Sequence, residues 1–209
     1  MRALISTHDK RGLDRIGPWL HEQGVEILAT GGTARALSDL GLPVTSTDAL
    51  TGFQELLGGR VKTLHPALHA GILARPDAAD LAELDAAGIP RIDLVIVNLY
   101  PFREAWLAGA DAGRVTEEID IGGVALIRAA AKNWVRTAVL VEPEQYDAVM
   151  DKPVGEWTEG DRRRLAARAF RLVAAYDADI AAYMTDREGD PFPEQLTLTA
   201  DRVEVLRYG

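Results

Sequence analysis

The sequence predicts an α/β fold, with helices covering both faces of a mostly parallel β-sheet. Short apolar runs alternate with stretches of helical spacing from the N-terminus onward, as they do in parallel sheets. The most strand-like segment is 93–99, whose continuous β-branched residues are typical of a strand buried on both faces. A length of 209 residues, 47% of them apolar, suits one large domain or one domain with an appendage.

In the first fifty residues, strands are expected where apolar runs are short, and helices where apolar residues recur every three or four positions. Gly24 and Gly41 stand where glycine commonly ends a helix. Pro18 is expected to kink the first helix or to shift its start. The predicted strands are 4–6, 25–29 and 44–46, and the predicted helices are 13–23 and 34–40.

The rest of the chain continues the alternation and adds one long helix. Thr158 and Asp161 resemble a capping box with Asp in place of Glu. The helix that they open would be about 40 Å long, enough to cross the domain or to pack on a partner. The predicted helices are 77–87, 124–133, 143–150 and 158–185, the predicted strands are 93–99, 137–141, 196–198 and 203–206, and 186–193 is a turn-rich connector.

Composition argues against several classes of protein. The formal net charge is −9 and the isoelectric point is about 5.0, whereas nucleic-acid and anionic-membrane binding need a basic face. Without cysteine there is no disulfide, thiolate metal site or cysteine nucleophile. No apolar run approaches the ~18 residues of a membrane span, and no signal peptide is visible. We therefore expect a cytoplasmic protein that binds neither nucleic acid nor membrane.

Residues 58–71 form a cationic, turn-rich stretch that reads Gly-Gly-Arg-Val-Lys-Thr-Leu-His-Pro-Ala-Leu-His-Ala-Gly. Such a stretch is either a solvated surface loop or part of a ligand site. Of the 23 lysines and arginines only four are lysines, at positions 10, 62, 132 and 152. Because an ammonium is a compact charge that titrates more readily than a guanidinium, Lys62 favours a ligand site. Pro66 is expected to stop regular structure.

Loops that follow the strands of an open parallel sheet are where ligands bind. The loop 30–33, Thr-Gly-Gly-Thr, offers exposed backbone amides and two hydroxyls at the start of a helix, which suits a phosphate; a plain helix-capping turn is the alternative. Lys10, in the loop 6–12, is either a second phosphate-binding cation or a solvated lysine. The dinucleotide and nucleotide-triphosphate glycine motifs are absent from the sequence.

Three further side chains allow more than one interpretation. Asp120 precedes two glycines at a helix start, so it is either a general base or an N-cap. Tyr100 follows the strand 93–99 and either acts in the site or packs. His65 and His69 are spaced like metal ligands, but Pro66 between them is expected to break a shared helix face, which favours hydrogen bonding over metal binding.

Five segments together resemble a known family: Arg60-Val61-Lys62-Thr63-Leu64-His65-Pro66, Thr30-Gly31-Gly32-Thr33-Ala34, Asn98-Leu99-Tyr100-Pro101-Phe102, Asp120-Ile121-Gly122-Gly123 and Arg128-Ala129-Ala130-Ala131-Lys132-Asn133. They are similar in order and spacing to the IMP cyclohydrolase domain of the bifunctional purine-biosynthesis enzymes that also carry AICAR transformylase. The resemblance spans essentially the whole chain. It implies a methylglyoxal-synthase-like, Rossmann-like α/β fold.

The same resemblance implies a reaction. It is the dehydrative ring closure of 5-formamidoimidazole-4-carboxamide ribotide (FAICAR) to IMP, the last step of de novo purine synthesis. No cofactor and no metal are implied for this step, and a homodimer is expected. The implied catalytic residues are Lys62, Tyr100, Asp120 and Lys132. The implied substrate-binding residues are Ser6, His8, Asp9, Lys10, Thr30, Gly31, Gly32 and Thr33 for phosphate and ribose, and Arg60, Lys62, Thr63, Asn98, Asp120, Ile121 and Gly122 around the base.

One position departs from the family pattern. The first loop of the family usually reads Ser-Val-Ser-Asp-Lys-Thr-Gly, whereas this chain has Ser6-Thr7-His8-Asp9-Lys10-Arg11-Gly12. His8 therefore replaces a phosphate-binding hydroxyl, and an imidazolium or its N–H is the available substitute.

The resemblance also implies a division of the chain into three parts. Residues 1–150 form the cyclohydrolase core, 151–195 the long helix and connector, and 196–209 the start of a transformylase domain that the chain lacks. The chain is then either an excised N-terminal domain or a stand-alone cyclohydrolase, and transformylase activity is not expected.

Lys132 presents a geometric difficulty. If its helix begins near Gly123, Lys132 lies about 14 Å further along the axis and would not reach the site that Asp120 lines. Lys132 then serves the site of a dimer partner, or reaches in laterally. Two other functions remain alternatives for the whole chain: a phosphate-ligand-sensing module without catalysis, and a methylglyoxal synthase.

Overall fold

The computed structural model describes residues 1–53, 55–188 and 194–208. Its sheet has five strands, all parallel, in the order β3-β2-β1-β4-β5. They are β1 (Arg2–Ser6), β2 (Glu26–Ala29), β3 (Val44–Ser46), β4 (Leu94–Val97) and β5 (Ala138–Leu140). The predicted α/β class with a parallel sheet is confirmed.

Ten α-helices connect and extend these strands in the described residues. They are α1 (Leu13–Glu22), α2 (Gly31–Asp39), α3 (Thr47–Thr51), α4 (Pro66–Leu73), α5 (Ala78–Ala86), α6 (Phe102–Leu107), α7 (Ala112–Glu117), α8 (Gly122–Lys132), α9 (Tyr146–Met150) and α10 (Glu159–Glu188). Short 3₁₀ turns occur at Leu57–Gly59, Pro143–Gln145 and Val154–Glu156. None of the described helices is both long and apolar enough to cross a membrane.

The chain divides into two compact units. The first comprises Met1–Tyr100 with Asp120–Leu172, and the second comprises Pro101–Ile119 with Val173–Gly209. In the second unit, Phe102 packs edge-on against Tyr176 and Tyr183, and Val115 is buried in the same cluster. The sheet and the loops at its carboxyl edge belong to the first unit, because all five strands lie within it.

Helices cover both faces of the sheet in the first unit. Because side chains alternate along a strand, Ala3 and Ile5 of β1 face one way and pack with α1 residues such as Ile16 and Leu20. The opposite face carries α8, which packs against β4 and β5 and against α4. Leu4, between Ala3 and Ile5, is fully buried too, as a strand covered on both faces requires.

The strand order places the predicted ligand loops side by side. β1 lies between β2 and β4, and the chain leaves β1 toward β2 but enters the sheet again at β4 on the other side. Ligands of open α/β sheets bind outside the carboxyl ends of the strands at such a reversal. The segments that follow β1, β2 and β4 are therefore the structural neighbourhood of a candidate site.

Several predicted elements need correction. Pro66 does not stop regular structure but occupies the first turn of α4, where its missing N–H has no helical partner to lose. The predicted strands 196–198 and 203–206 are not strands, and Leu198 and Val203 are 82% and 99% exposed. Helices α6 and α7 were not predicted, since both are six residues long and show little periodicity.

Other differences concern boundaries. Helix α2 begins at Gly31 rather than at position 34, because the two glycines are part of the first turn and Thr30 is its N-cap. The long helix ends at Glu188, and residues 189–193 of the predicted connector lie outside the described residues. The division into 1–150, 151–195 and 196–209 stays a prediction.

Candidate active site

The loop after β1 is fixed by a residue at the end of β4. The side-chain oxygen of Asn98 accepts hydrogen bonds from the backbone N–H groups of His8 (2.6 Å) and Asp9 (2.9 Å). Its amide group donates to the carbonyl oxygen of Asp9 at 2.8 Å. Asn98 is buried, and its position directly after β4 brings it level with the end of β1. Asn98 thus holds the first loop, a role that the sequence did not indicate.

The loop after β2 forms a cluster of hydroxyls with the end of β1. The Thr30 hydroxyl donates to the Ser6 hydroxyl at 2.9 Å. Thr33, which is buried, accepts from the backbone N–H of Thr7 at 3.1 Å. The ammonium of Lys10 donates to the Thr33 hydroxyl at 3.1 Å and also contacts the carbonyl oxygen of Thr7. A lysine, hydroxyls and a helix N-terminus meet here, which suits a phosphate.

The charge of Lys62 acts on Lys10. Desolvation lowers the pKa of Lys10, and the positive charge of Lys62 lowers it further, while Asp9 opposes both effects. Lys62 therefore lies within electrostatic range of the hydroxyl cluster, although it comes from a distant part of the sequence. Two neighbouring cations repel each other until an anion binds, so the arrangement favours a negatively charged ligand.

Asp120 stands at the start of α8 and is partly buried. Its carboxylate accepts a hydrogen bond from the backbone N–H of Gly123 at 2.7 Å and another from the backbone of Tyr100. Burial raises the pKa of Asp120, whereas these hydrogen bonds and the positive charges of Lys62 and His8 oppose the increase. The carboxylate therefore accepts an N–H of the first turn of α8, as an N-cap would, and its raised pKa makes it a better proton acceptor than an exposed carboxylate.

Thr63 brings the cationic stretch 58–71 to the same helix start. The Thr63 hydroxyl lies so close to Gly122 that a Cβ atom at position 122 would overlap it. Thr63 is buried, so the backbone at Gly122 and the segment carrying Lys62 are in direct contact. The predicted neighbourhood of Lys62, Thr63, Asp120 and Gly122 is present in the structure.

The two histidines near Lys62 make hydrogen bonds, as predicted. His65 is the N-cap of α4, and its Nδ1 accepts from the backbone N–H of Ala67 at 3.2 Å. His69, one turn later on the same helix, hydrogen bonds to the backbone of Thr63, and burial lowers its pKa. In the part of the chain that the structure describes, no group of three or more metal-ligating side chains is found.

Lys132 is the one predicted catalytic residue that lies elsewhere. It is the last residue of α8, whose 11 residues extend about 16 Å from the end that Asp120 caps. There it lines a cavity of about 320 Å³ together with Leu73, Arg75 and Asn133. The geometric difficulty foreseen from the sequence is therefore real within one copy of the chain.

Comparison with known proteins identifies the family of this fold. The model of the MGS-like domain matches residues 16–125, which is more than half of the chain. The chain belongs to the MGS-like domain family. A second family model, described as AICARFT/IMPCHase bienzyme, matches residues 130–209. The MGS-like match includes the candidate-site residues from Thr30 to Asp120, and the loop 6–12 precedes it.

Curated relatives of this MGS-like chain are bifunctional enzymes. It is 51% identical over its full length to the bifunctional purine biosynthesis protein PurH of Listeria innocua, and 48% identical to that of Deinococcus radiodurans. It spans 42% and 41% of those proteins. Among solved structures, the crystal structure of ForH has a TM-score of 0.75 and 38% identity, covering 88% of this chain and 96% of that one. The family resemblance seen in the sequence motifs is confirmed.

Proposed function

We propose that the chain is an IMP cyclohydrolase, which closes the second ring of FAICAR to give IMP. The observation that carries the proposal is the meeting of the hydroxyl cluster around Lys10 and Thr33 with Lys62, Tyr100 and Asp120 at one edge of the sheet. Similarity to PurH proteins along the whole chain supports it. Because the chain spans about two fifths of those relatives, their full bifunctional activity is not assigned to it.

The phosphate end of the substrate is assigned to the hydroxyl cluster and Lys10. An oriented phosphate would fix the ribose and place the base toward Lys62, Asp120 and the start of α8. Positioning of this kind contributes much of the rate of a ring closure, since it makes two groups of one molecule meet in a productive geometry.

The reaction joins the carboxamide nitrogen to the formyl carbon, and the formyl oxygen leaves as water. One proton from each of the two nitrogens leaves with that oxygen, so atoms balance without an oxidant or reductant. Asp120 is assigned as the base that accepts the carboxamide proton. Lys62 and the backbone N–H groups near Gly122 stabilise negative charge on the oxygen, and Tyr100 donates a proton to the leaving water. This chemistry calls for no cofactor.

Lys132 is assigned to the site of a partner subunit in a homodimer. Its place at the far end of α8 supports this assignment, because a neighbouring copy can present that end to another copy's Asp120. In a two-fold symmetric dimer, both sites would be completed in the same way. The proposed substrates and the cytoplasmic site of action follow from the proposed reaction.

The test is to incubate the purified chain with the formylated ribotide and to follow the ultraviolet change of ring closure. We expect turnover with this substrate and none with dihydroxyacetone phosphate, the substrate of a methylglyoxal synthase. Turnover of dihydroxyacetone phosphate alone would favour that alternative, and nucleotide binding without turnover of either compound would favour a ligand-sensing module.

A further inference from the structure

The side chain of His8 is directed to the catalytic part of the site and not to the phosphate cluster. Its ring packs against the ring of Tyr100 at a centroid distance of 5.2 Å and an interplanar angle of 72°, an edge-to-face contact. The phosphate cluster is formed instead by Ser6, Thr30, Thr33 and Lys10. His8 therefore does not simply replace the hydroxyl that this loop usually carries.

The backbone on both sides of this contact is fixed. Asn98 accepts the N–H of His8, which fixes the backbone from which the imidazole projects. The backbone of Tyr100 is tied to the carboxylate of Asp120, which is within electrostatic range of His8. The two rings thus project from two separately anchored backbone segments, beside the carboxylate that is assigned as the base.

The Tyr100 side chain can change rotamer about two bonds, and Tyr100 is only partly buried. Packing against the His8 ring restricts those rotations, and edge-to-face pairs are favourable beyond the area that they bury. We propose that His8 is a positioning residue for Tyr100, which it holds in the orientation needed to donate a proton to the leaving water. This inference rests on the proposed ring closure.

The first experiment compares steady-state constants of the intact chain with those of His8→Ser and His8→Phe. We expect His8→Ser, which restores the usual hydroxyl but removes the ring, to lower kcat by about 2- to 10-fold with little change in KM. His8→Phe keeps an aromatic ring and should recover most of that loss. A raised KM with unchanged kcat in His8→Ser, or no rescue by His8→Phe, would overturn the proposal.

A double-mutant cycle with Tyr100→Phe gives the sharper result. Without the phenolic hydroxyl there is nothing for His8 to orient, so adding His8→Ser to Tyr100→Phe should lower kcat no further. Multiplicative effects of the two substitutions would show that His8 acts independently of Tyr100, contrary to the proposal. The midpoint of thermal unfolding of each variant shows whether it is folded.

A third experiment detects the contact between His8 and Tyr100 by NMR and does not depend on enzymatic activity. The proton resonances of the His8 ring should move when Tyr100 is replaced by Leu, because the neighbouring ring current is lost; unchanged resonances would overturn the contact. If the intact chain fails to turn over the formylated ribotide, the proposed function is wrong, and the role of His8 that depends on it is wrong as well. Turnover by the intact chain without coupling in the cycle overturns the inference alone.

Discussion

Lys10 lies in the proposed phosphate site, and its pKa is below its ordinary value. Desolvation and the charge of Lys62 both favour the neutral amine, so the ammonium is lost at a lower pH than that of an exposed lysine. Its attraction for a phosphate should therefore be complete near neutrality and disappear as the pH rises through this lowered pKa.

Lys10→Arg should remove the alkaline loss of binding, because a guanidinium stays charged. We expect the affinity of the intact chain for ribose 5-phosphate to fall roughly tenfold between about pH 7 and about pH 10, and that of Lys10→Arg to fall much less. Isothermal titration calorimetry measures the affinity of each protein at each pH. Lys152→Arg is the control, since Lys152 pairs with Asp161; equal pH dependence in all three proteins would contradict the assignment.

Gly122 has no room for a side chain. A methyl group there would overlap the hydroxyl of Thr63, whose β-branched side chain has few alternative rotamers. Gly122→Ala should displace the segment that carries Lys62 and lower kcat/KM by about 100-fold, measured in the ring-closure assay.

The control for that substitution is Gly155→Ala. Gly155 lies in a 3₁₀ turn, and a Cβ atom there would have no neighbour within 4 Å. Gly155→Ala should keep the kcat/KM of the intact chain. Equal activity of the two variants would show that the contact between Thr63 and Gly122 does not position Lys62.

At the level of residues, the sequence identified the candidate site residues more successfully than the contacts that each of them makes. Asp120, Lys62 and Thr63 were placed together correctly, because segments that follow the strands of a parallel sheet lie at its carboxyl edge. The contact of His8 with Tyr100 and the hold of Asn98 on the first loop could not be predicted. Both depend on β1 and β4 being neighbours in the sheet, although they are about ninety residues apart in sequence.

Among the elements, α10 shows how a local signal fixes a helix start. The capping box predicted from Thr158 and Asp161 is present: the Asp161 N–H donates to the Thr158 hydroxyl at 3.2 Å, and the Thr158 N–H donates to the Asp161 carboxylate at 2.8 Å. These contacts and Lys152 hold the pKa of Asp161 well below its usual range, so this stabilisation is present near neutrality and is lost as the pH falls below about 4.

Thr158→Ala should lower the free energy of unfolding by about 1 kcal/mol, because the Asp161 N–H loses its acceptor and the Asp161 carboxylate loses the Thr158 hydroxyl. Urea unfolding followed by circular dichroism measures it. Thr185→Ala is the control, since Thr185 lies near the other end of α10 and its hydroxyl donates back to the Ala181 carbonyl within the helix. A larger loss in Thr185→Ala than in Thr158→Ala would contradict the capping account.

Elements without a strong local signal were the ones that sequence reasoning missed. Helices α6 and α7 are too short to show a period, and a proline such as Pro66 is compatible with both a break and a helix start. The alternating segments 196–198 and 203–206 have strand-like sequences, but no strand of the described chain pairs with them. Pairing depends on a partner strand, which a local pattern does not reveal.

At the scale of the whole molecule, the assignment of Lys132 to a partner's site has a direct test. Lys132→Ala and Asp120→Ala should each be inactive alone. When the two are mixed under conditions of subunit exchange, half of the dimers pair one variant with the other, and each such dimer has one site that is intact at both positions. About a quarter of the activity of the intact protein should return.

That experiment separates the two geometries foreseen for Lys132. Failure to recover activity, with exchange demonstrated independently by tagged subunits, would show that Lys132 acts within its own copy or not at all. Recovery would show that the site of this fold is completed by two copies of the chain.

The central claim is that Asp120 drives ring closure at the carboxyl edge of the sheet, and one measurement tests it most directly. Single-turnover ring closure of the formylated ribotide is compared between the intact chain and Asp120→Asn, which keeps an oxygen to accept the Gly123 N–H but cannot accept the proton. We expect the intact chain to react, more slowly as the pH falls through the raised pKa of Asp120, and Asp120→Asn to react about 10²- to 10⁴-fold more slowly. Equal rates in the two proteins, or no reaction in the intact chain, would contradict the claim.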